Sequence, residues 1–131
     1  MNAYMNVVDS CGWLEYFAGG PSAGFFAPPL EAADGTLLVP TLCLYEVFKN
    51  ILSQFGREQA VEKVAVMRQG TVLALDDTLA LDAALISHEL GLPMADSVIF
   101  ATARSQNALL WTQDAHFERM AGVKYHKKKS R

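Results

Sequence analysis

The stretch ALLWTQDAHF, Ala108–Phe117, is an apolar run of strand length that ends in a hydroxyl, Thr112, and then an acid, Asp114. Its first part, ALLWT, suits a strand but is too apolar for one that turns a face to water. A strand buried on both faces belongs inside a parallel sheet covered by helices, and the flanking sequence has the alternation this requires. YMNVVD (Tyr4–Asp9) is another apolar run closing on an acid, followed by the helix-like SCGWLEYFAG, which stops at Gly19, Gly20 and Pro21. Thr36–Pro40 (TLLVP) and Thr71–Leu75 (TVLAL) are further strands, and VKYH (Val123–His126) is a candidate fifth.

Between the strands lie helical patterns. TLCLYEVFKNILSQFG places Leu44, Val47, Phe48, Ile51, Leu52 and Phe55 on one face. REQAVEKVAVMRQ continues to Gly70, and further helices are expected over about Asp77–Leu90 and Ala95–Gln106, with a last short one in DAHFERMAG. In SAGFFAPPLEAAD, Pro28 and Pro29 are expected to break or restart any helix. The pattern predicts an α/β protein, a three-layer α/β/α sandwich around a central parallel sheet of four to five strands. It predicts one domain over residues 1–126, with a basic tail at 127–131.

Composition narrows the class. A chain of 131 residues, 51% of them apolar, can bury a core without disulfides or structural metals. Cys11 and Cys43 form no CxxC pair and lie near no histidine at zinc-ligand spacing, so both are expected to be small core residues in a reducing compartment. No secretory leader is visible and no apolar run approaches the roughly 18 residues of a membrane span. A soluble, cytoplasmic protein is expected, with no membrane contact. The net charge is −3, but it is segregated. Met1–Phe48 contains no Lys or Arg and five acids, whereas Lys49 onward carries eleven basic residues against nine acids and ends in HKKKSR. Such a tail marks either contact with a polyanion or a solvated terminus. The acidic balance argues against a protein that coats nucleic acid non-specifically.

In an open parallel sheet, ligands bind beyond the carboxyl ends of the strands. Asp9 ends the first strand and Asp114 lies just past the fourth; Asp96 opens a helix, and Glu46 is the single charge in LCLYEVF. Each has an ordinary explanation. Asp9, Asp96 and Asp114 suit helix caps or first turns, and Glu46 a solvated helix face. Asp76, Asp77 and Asp82 are expected to be no more than helix-start and surface acids. Four carboxylates converging on one sheet edge, however, repel one another unless a cation intervenes. Hard oxygen ligands suit Mg²⁺ or Mn²⁺, ions that pair with phosphate and support hydrolysis of a phosphodiester.

The segments VVDSCGWLEYF, TLCLYEVFKN, GLPMADSVIFATA and LLWTQDAHF together resemble the PIN domain, and within it the VapC-type toxin ribonucleases of VapBC toxin–antitoxin modules. The likeness runs from Val7 to Phe117. It implies Asp9, Glu46, Asp96 and Asp114 as metal-binding and catalytic acids, with Ser10 and Thr112 as supporting hydroxyls. It implies an Mg²⁺- or Mn²⁺-dependent endoribonuclease, a phosphodiester hydrolase acting on RNA, homodimeric and held inactive by a cognate antitoxin. Gln113 departs from the arginine or asparagine common at its position, the two prolines stand where relatives have a smooth helix, and the lysine-rich end lies outside the family motif.

Other readings fit less well. A phosphoacceptor receiver domain wants an acidic pair at its first strand, and a haloacid-dehalogenase-like phosphatase wants D-x-D there; this chain has DSC. A non-catalytic PIN-like module that binds RNA or protein is the remaining alternative, although such a module has no need of all four acids. His88, His116 and His126 are expected on the surface or in helices, with His116 a candidate for positioning substrate near Asp114. Lys49, Arg57, Arg68, Arg104 and Arg119 are candidates for steering an RNA backbone.

Overall fold

The computed structural model describes residues 4–130. Five short strands, β1 (Asn6–Val8), β2 (Leu37–Pro40), β3 (Thr71–Leu73), β4 (Leu109–Thr112) and β5 (Val123–Tyr125), form one sheet in the order β3-β2-β1-β4-β5. Every neighbouring pair is parallel, with Val7 opposite both Leu38 and Leu110. Consecutive residues of a strand point to opposite faces, and Val7 and Val8 are both buried, as are Leu38 and Val39. The sheet is therefore covered on both sides, which makes the molecule a three-layer α/β/α sandwich.

The covering helices are α1 (Ser10–Ala18), α2 (Ala23–Glu31), α3 (Thr41–Phe55), α4 (Arg57–Met67), α5 (Asp77–Leu90) and α6 (Met94–Ser105). Left-handed glycines end two of them, Gly19 after α1 and Gly91 after α5, where a side chain would be strained. The chain builds β2 and β3 to one side of β1, then crosses over to place β4 on its other side. That reversal puts the topological switch point between β1 and β4, where a crevice opens at the carboxyl edge.

Three expectations need correction. The two prolines do not break a helix: α2 runs from Ala23 to Glu31 through Pro28 and Pro29. They forfeit backbone donors near the end of a nine-residue helix, while Phe26 and Pro29 lock it into the core. The buried stripe of α3 is Cys43, Val47 and Ile51, whereas Leu52 and Phe55 are exposed. Finally, DAHFERMAG forms only a 3₁₀ turn, Ala115–Phe117, anchored by the buried Phe117.

Candidate metal centre

Asp9 directly follows β1 and caps α1, its Oδ1 accepting from the Ser10 backbone N–H at 2.8 Å. Its other oxygen, Oδ2, accepts from the Thr112 hydroxyl at 2.7 Å. Thr112 ends β4 and is fully buried, and its Oγ1 also accepts from the Asp114 backbone N–H at 3.0 Å. One hydroxyl thus ties the acid after β1 to the segment carrying the acid after β4. The link depends on β1 and β4 being neighbours in register, which no local sequence signal specifies.

Asp96 sits in the first turn of α6 and Asp114 just before the 3₁₀ turn. That turn swings His116 back between them, with Nδ1 at 2.7 Å from Asp114 Oδ1 and 3.2 Å from Asp96 Oδ2. One ligand atom from each of these three residues lies within 4.8 Å of the others. Glu46 is one step removed: its Oε1 accepts from the Ser10 hydroxyl at 2.6 Å, so it joins the site through the residue after Asp9. The ordinary explanations hold alongside, since Asp9 caps α1 and Asp114 accepts from the His116 N–H. Asp76 caps α5 by accepting from the Leu79 N–H, away from the cluster, as expected.

The electrostatics are those of a site short of positive charge. Burial and the neighbouring Asp114 and Asp9 carboxylates push the Asp96 carboxyl up to about 7. Asp9, 5% exposed, is raised chiefly by burial, against the lowering effect of its Thr112 and Ser10 hydrogen bonds. Among the described residues, no Lys or Arg lies within 4.0 Å of Asp9, Asp96, Asp114 or Glu46. A donor set of hard carboxylate oxygens lacking a counter-charge fits Mg²⁺ or Mn²⁺. Asp96, Asp114 and His116 are the residues whose donor atoms lie close enough together to share such an ion, while Asp9, both of whose oxygens accept hydrogen bonds from Ser10 and Thr112, stands outside that group.

Two residues at the site are placed more closely against the acids than the sequence alone indicates. His116 is exposed, as expected, and lies beside Asp114, where it is a candidate for positioning substrate; its approach to Asp96 carries no spacing signal, because it depends on the turn after β4. Cys11, expected in the core, is only partly buried and lies 3.6 Å from both Asp9 Oδ2 and Thr112 Oγ1. Burial and the Asp9 charge push its thiol up to about 12, so it stays protonated and serves as a weak donor. Cys43 is buried as expected.

The family profile of the PIN domain matches residues 7–123. The chain belongs to the PIN domain family. A search of curated proteins finds no match. Several solved structures share the fold at low sequence identity. A toxin–antitoxin complex from Klebsiella pneumoniae superposes with a TM-score of 0.75 at 18% identity, covering 91% of this chain and 95% of that one. VapBC2 from Rickettsia felis, bound to a DNA fragment from its promoter, gives 0.72 at 16%, covering 92% and 96%. VapC20 from Mycobacterium tuberculosis, a sarcin–ricin loop cleaving toxin, gives 0.63 at 20%, covering 79% and 84%. Among the described residues of this PIN domain, no helix is long and apolar enough to cross a membrane.

Proposed function

We propose that this PIN domain is an Mg²⁺- or Mn²⁺-dependent endoribonuclease, the toxin of a toxin–antitoxin pair. The observation that carries the reading is the cluster of Asp96, Asp114 and His116 at the β1–β4 switch point, joined to Asp9 through the Thr112 hydroxyl and free of any Lys or Arg ion pair among the described residues. Asp96 and Asp114, with His116, would hold the ion, and Asp9 would complete the acidic set beside them. Bound there, the ion would supply charge stabilisation to the reacting phosphate and make water more acidic. Thr112 fixes the Asp9 carboxylate by hydrogen bond and braces the backbone of Asp114. Glu46, oriented through one oxygen by Ser10, keeps its second oxygen for ordering the attacking water or accepting its proton. Water adds to phosphorus, the P–O3′ bond breaks, and the proton released ends on the departing 3′ oxygen. The products are a 5′-phosphate and a 3′-hydroxyl.

The solved relatives that are toxin–antitoxin complexes support a cognate antitoxin as partner. A cytoplasmic homodimer completes the proposal; exposed apolar residues on α5, Leu81 and Leu85, support self-association.

The deciding experiment is cleavage of a mixed RNA pool by the wild type and Asp9→Asn, with Mg²⁺, with Mn²⁺ and with EDTA. Metal-dependent cleavage by the wild type, with Asp9→Asn slower by orders of magnitude, is the expected result. RNA binding without cleavage under every condition would replace the nuclease with a non-catalytic RNA-binding module. An Asp9→Asn protein with full metal-dependent activity would remove Asp9 from the site.

A further inference from the structure

A cleft of about 560 Å³ opens beside the acids, between α1, α3 and α4. This is within the rough 300–1,000 Å³ range of ligand-binding clefts. One end is formed by Cys11 and Gln113, the residues flanking the Asp9–Thr112 hydrogen bond. Asn50, Gln54 and the exposed ring of Phe55 line it further along α3. Gln113 is 7% exposed, and its Oε1 is buried without a hydrogen-bond partner among the described residues. A buried amide acceptor left unpaired is costly, and its residue lines a cleft large enough to admit a donor.

The basic tail meets the same cleft. The N–H of His126 donates to the Thr112 carbonyl at 3.0 Å, so the chain leaves β5 at the edge where the acids stand. The ring of His126 stacks on Phe25 at 4.7 Å, which fixes the direction of departure. Lys128 then lines the cleft. Lys127, Lys128 and Lys129 are exposed, and among the described residues none forms an ion pair with a carboxylate. Lys128 at the cleft, with exposed and unpaired Lys127 and Lys129 on either side of it in the chain, suits a strand of alternating phosphates and bases.

We propose that this cleft binds single-stranded RNA next to the cutting site, with Gln113 accepting a hydrogen bond from a base and Lys127, Lys128 and Lys129 holding the adjoining phosphates. The inference rests on the nuclease reading for its biological meaning, but binding can be measured without cleavage. Amide side chains and an exposed aromatic ring suit an unpaired base, whose edge and face are both accessible. An acidic protein segment could satisfy the lysines and donate a backbone N–H to Gln113, but it brings no planar base to the exposed ring of Phe55, and competition separates the two.

The test uses Asp9→Asn as the full chain, so that no RNA is cut, with and without Lys127→Gln, Lys128→Gln and Lys129→Gln together. Affinity for short labelled RNA homopolymers is followed against salt by fluorescence anisotropy. If all three lysines meet phosphates, the slope of log affinity against log salt falls in magnitude by about 2. Gln113→Leu should reduce discrimination among the four homopolymers by roughly three- to tenfold, the effect of one hydrogen bond. Equal salt slopes with and without the lysines would overturn the phosphate role, and unchanged base preference would overturn the role of Gln113. Competition by polyglutamate as effective per charge as RNA would overturn the proposal in favour of an acidic protein partner. Failure of the wild type to cut RNA with metal, while the lysine-dependent slope persists, would count against the nuclease reading alone.

Discussion

Thr112 is the residue on which two acids depend, because its one hydroxyl donates to Asp9 and accepts from the Asp114 N–H. Thr112→Val keeps the shape and removes both bonds inside a fully buried site, so it should cost about 1–3 kcal/mol, with Thr112→Ser recovering most of it; urea unfolding measures both. A second prediction follows from the raised carboxyls. With Asp96 near 7 and Asp9 also raised, the folded state binds more protons than the unfolded chain above the ordinary carboxylate range. Stability without metal should therefore fall as pH rises from about 5 to about 8. Melting temperature followed in EDTA across that range should decline, and Mg²⁺ should flatten the decline by supplying the missing charge. A melting temperature independent of pH in EDTA would mean that the acids are not crowded as described. Asp9, Asp96 and Asp114 stand out in the sequence because each lies at the end or the start of an element, whereas Glu46 is marked only as the single charge in an apolar stretch inside α3. The approach of His116 to Asp96 was not legible there, since it follows from tertiary contacts of a three-residue turn.

At the scale of elements, α1 sits where it does because Gly12 lets it. A Cβ there would lie 2.6 Å from the ring of Phe26 and 2.7 Å from Val8 Cγ1. Phe26 and Val8 are both fully buried, so neither has room to retreat. Gly12→Ala gains helix propensity, yet the forced displacement of α1 from β1 and α2 should outweigh it, for a net loss of about 1–3 kcal/mol. Thermal or urea unfolding of this variant checks the sign, and a stabilised protein would show that the contact relaxes freely. The strands were legible because burial on both faces leaves continuous apolar runs, and the helices because their periodicity and glycine stops are local. The stripe of α3 was misjudged for a physical reason. Apolar residues spread over more than one face of this helix, and only packing selects Cys43, Val47 and Ile51 as the inner set. Helix α2 defied its prolines for the same reason, through the burial of Phe26 and Pro29.

Across the whole molecule, charge and apolar surface are divided between different regions. The acids gather at the β1–β4 switch point and the tail lysines beside them, while α5 presents Leu81 and Leu85 one turn apart at 68% and 60% exposure. Leu90 and Met94, at 52% and 75%, follow around the turn into α6. Several large apolar side chains exposed together favour a protein–protein contact, and a second copy of this chain is the partner proposed here. A standard interface takes about 800 Å² per partner, roughly a tenth of the 7721 Å² surface of this chain. Leu81→Glu with Leu85→Glu places two like charges against their own copies across a two-fold axis, so the dimer should dissociate. The monomer should tolerate both, since substitutions at exposed positions typically change stability by about 0.5 kcal/mol or less. Sedimentation velocity of the wild type and the double variant at matched concentration gives the answer. A variant that sediments as a dimer moves the interface away from α5, with exposed Phe55 on α3 the next position to test. Phe55 also lines the proposed RNA cleft, so a dimer built there would occlude that cleft, whereas one built on α5 need not involve the residues lining it.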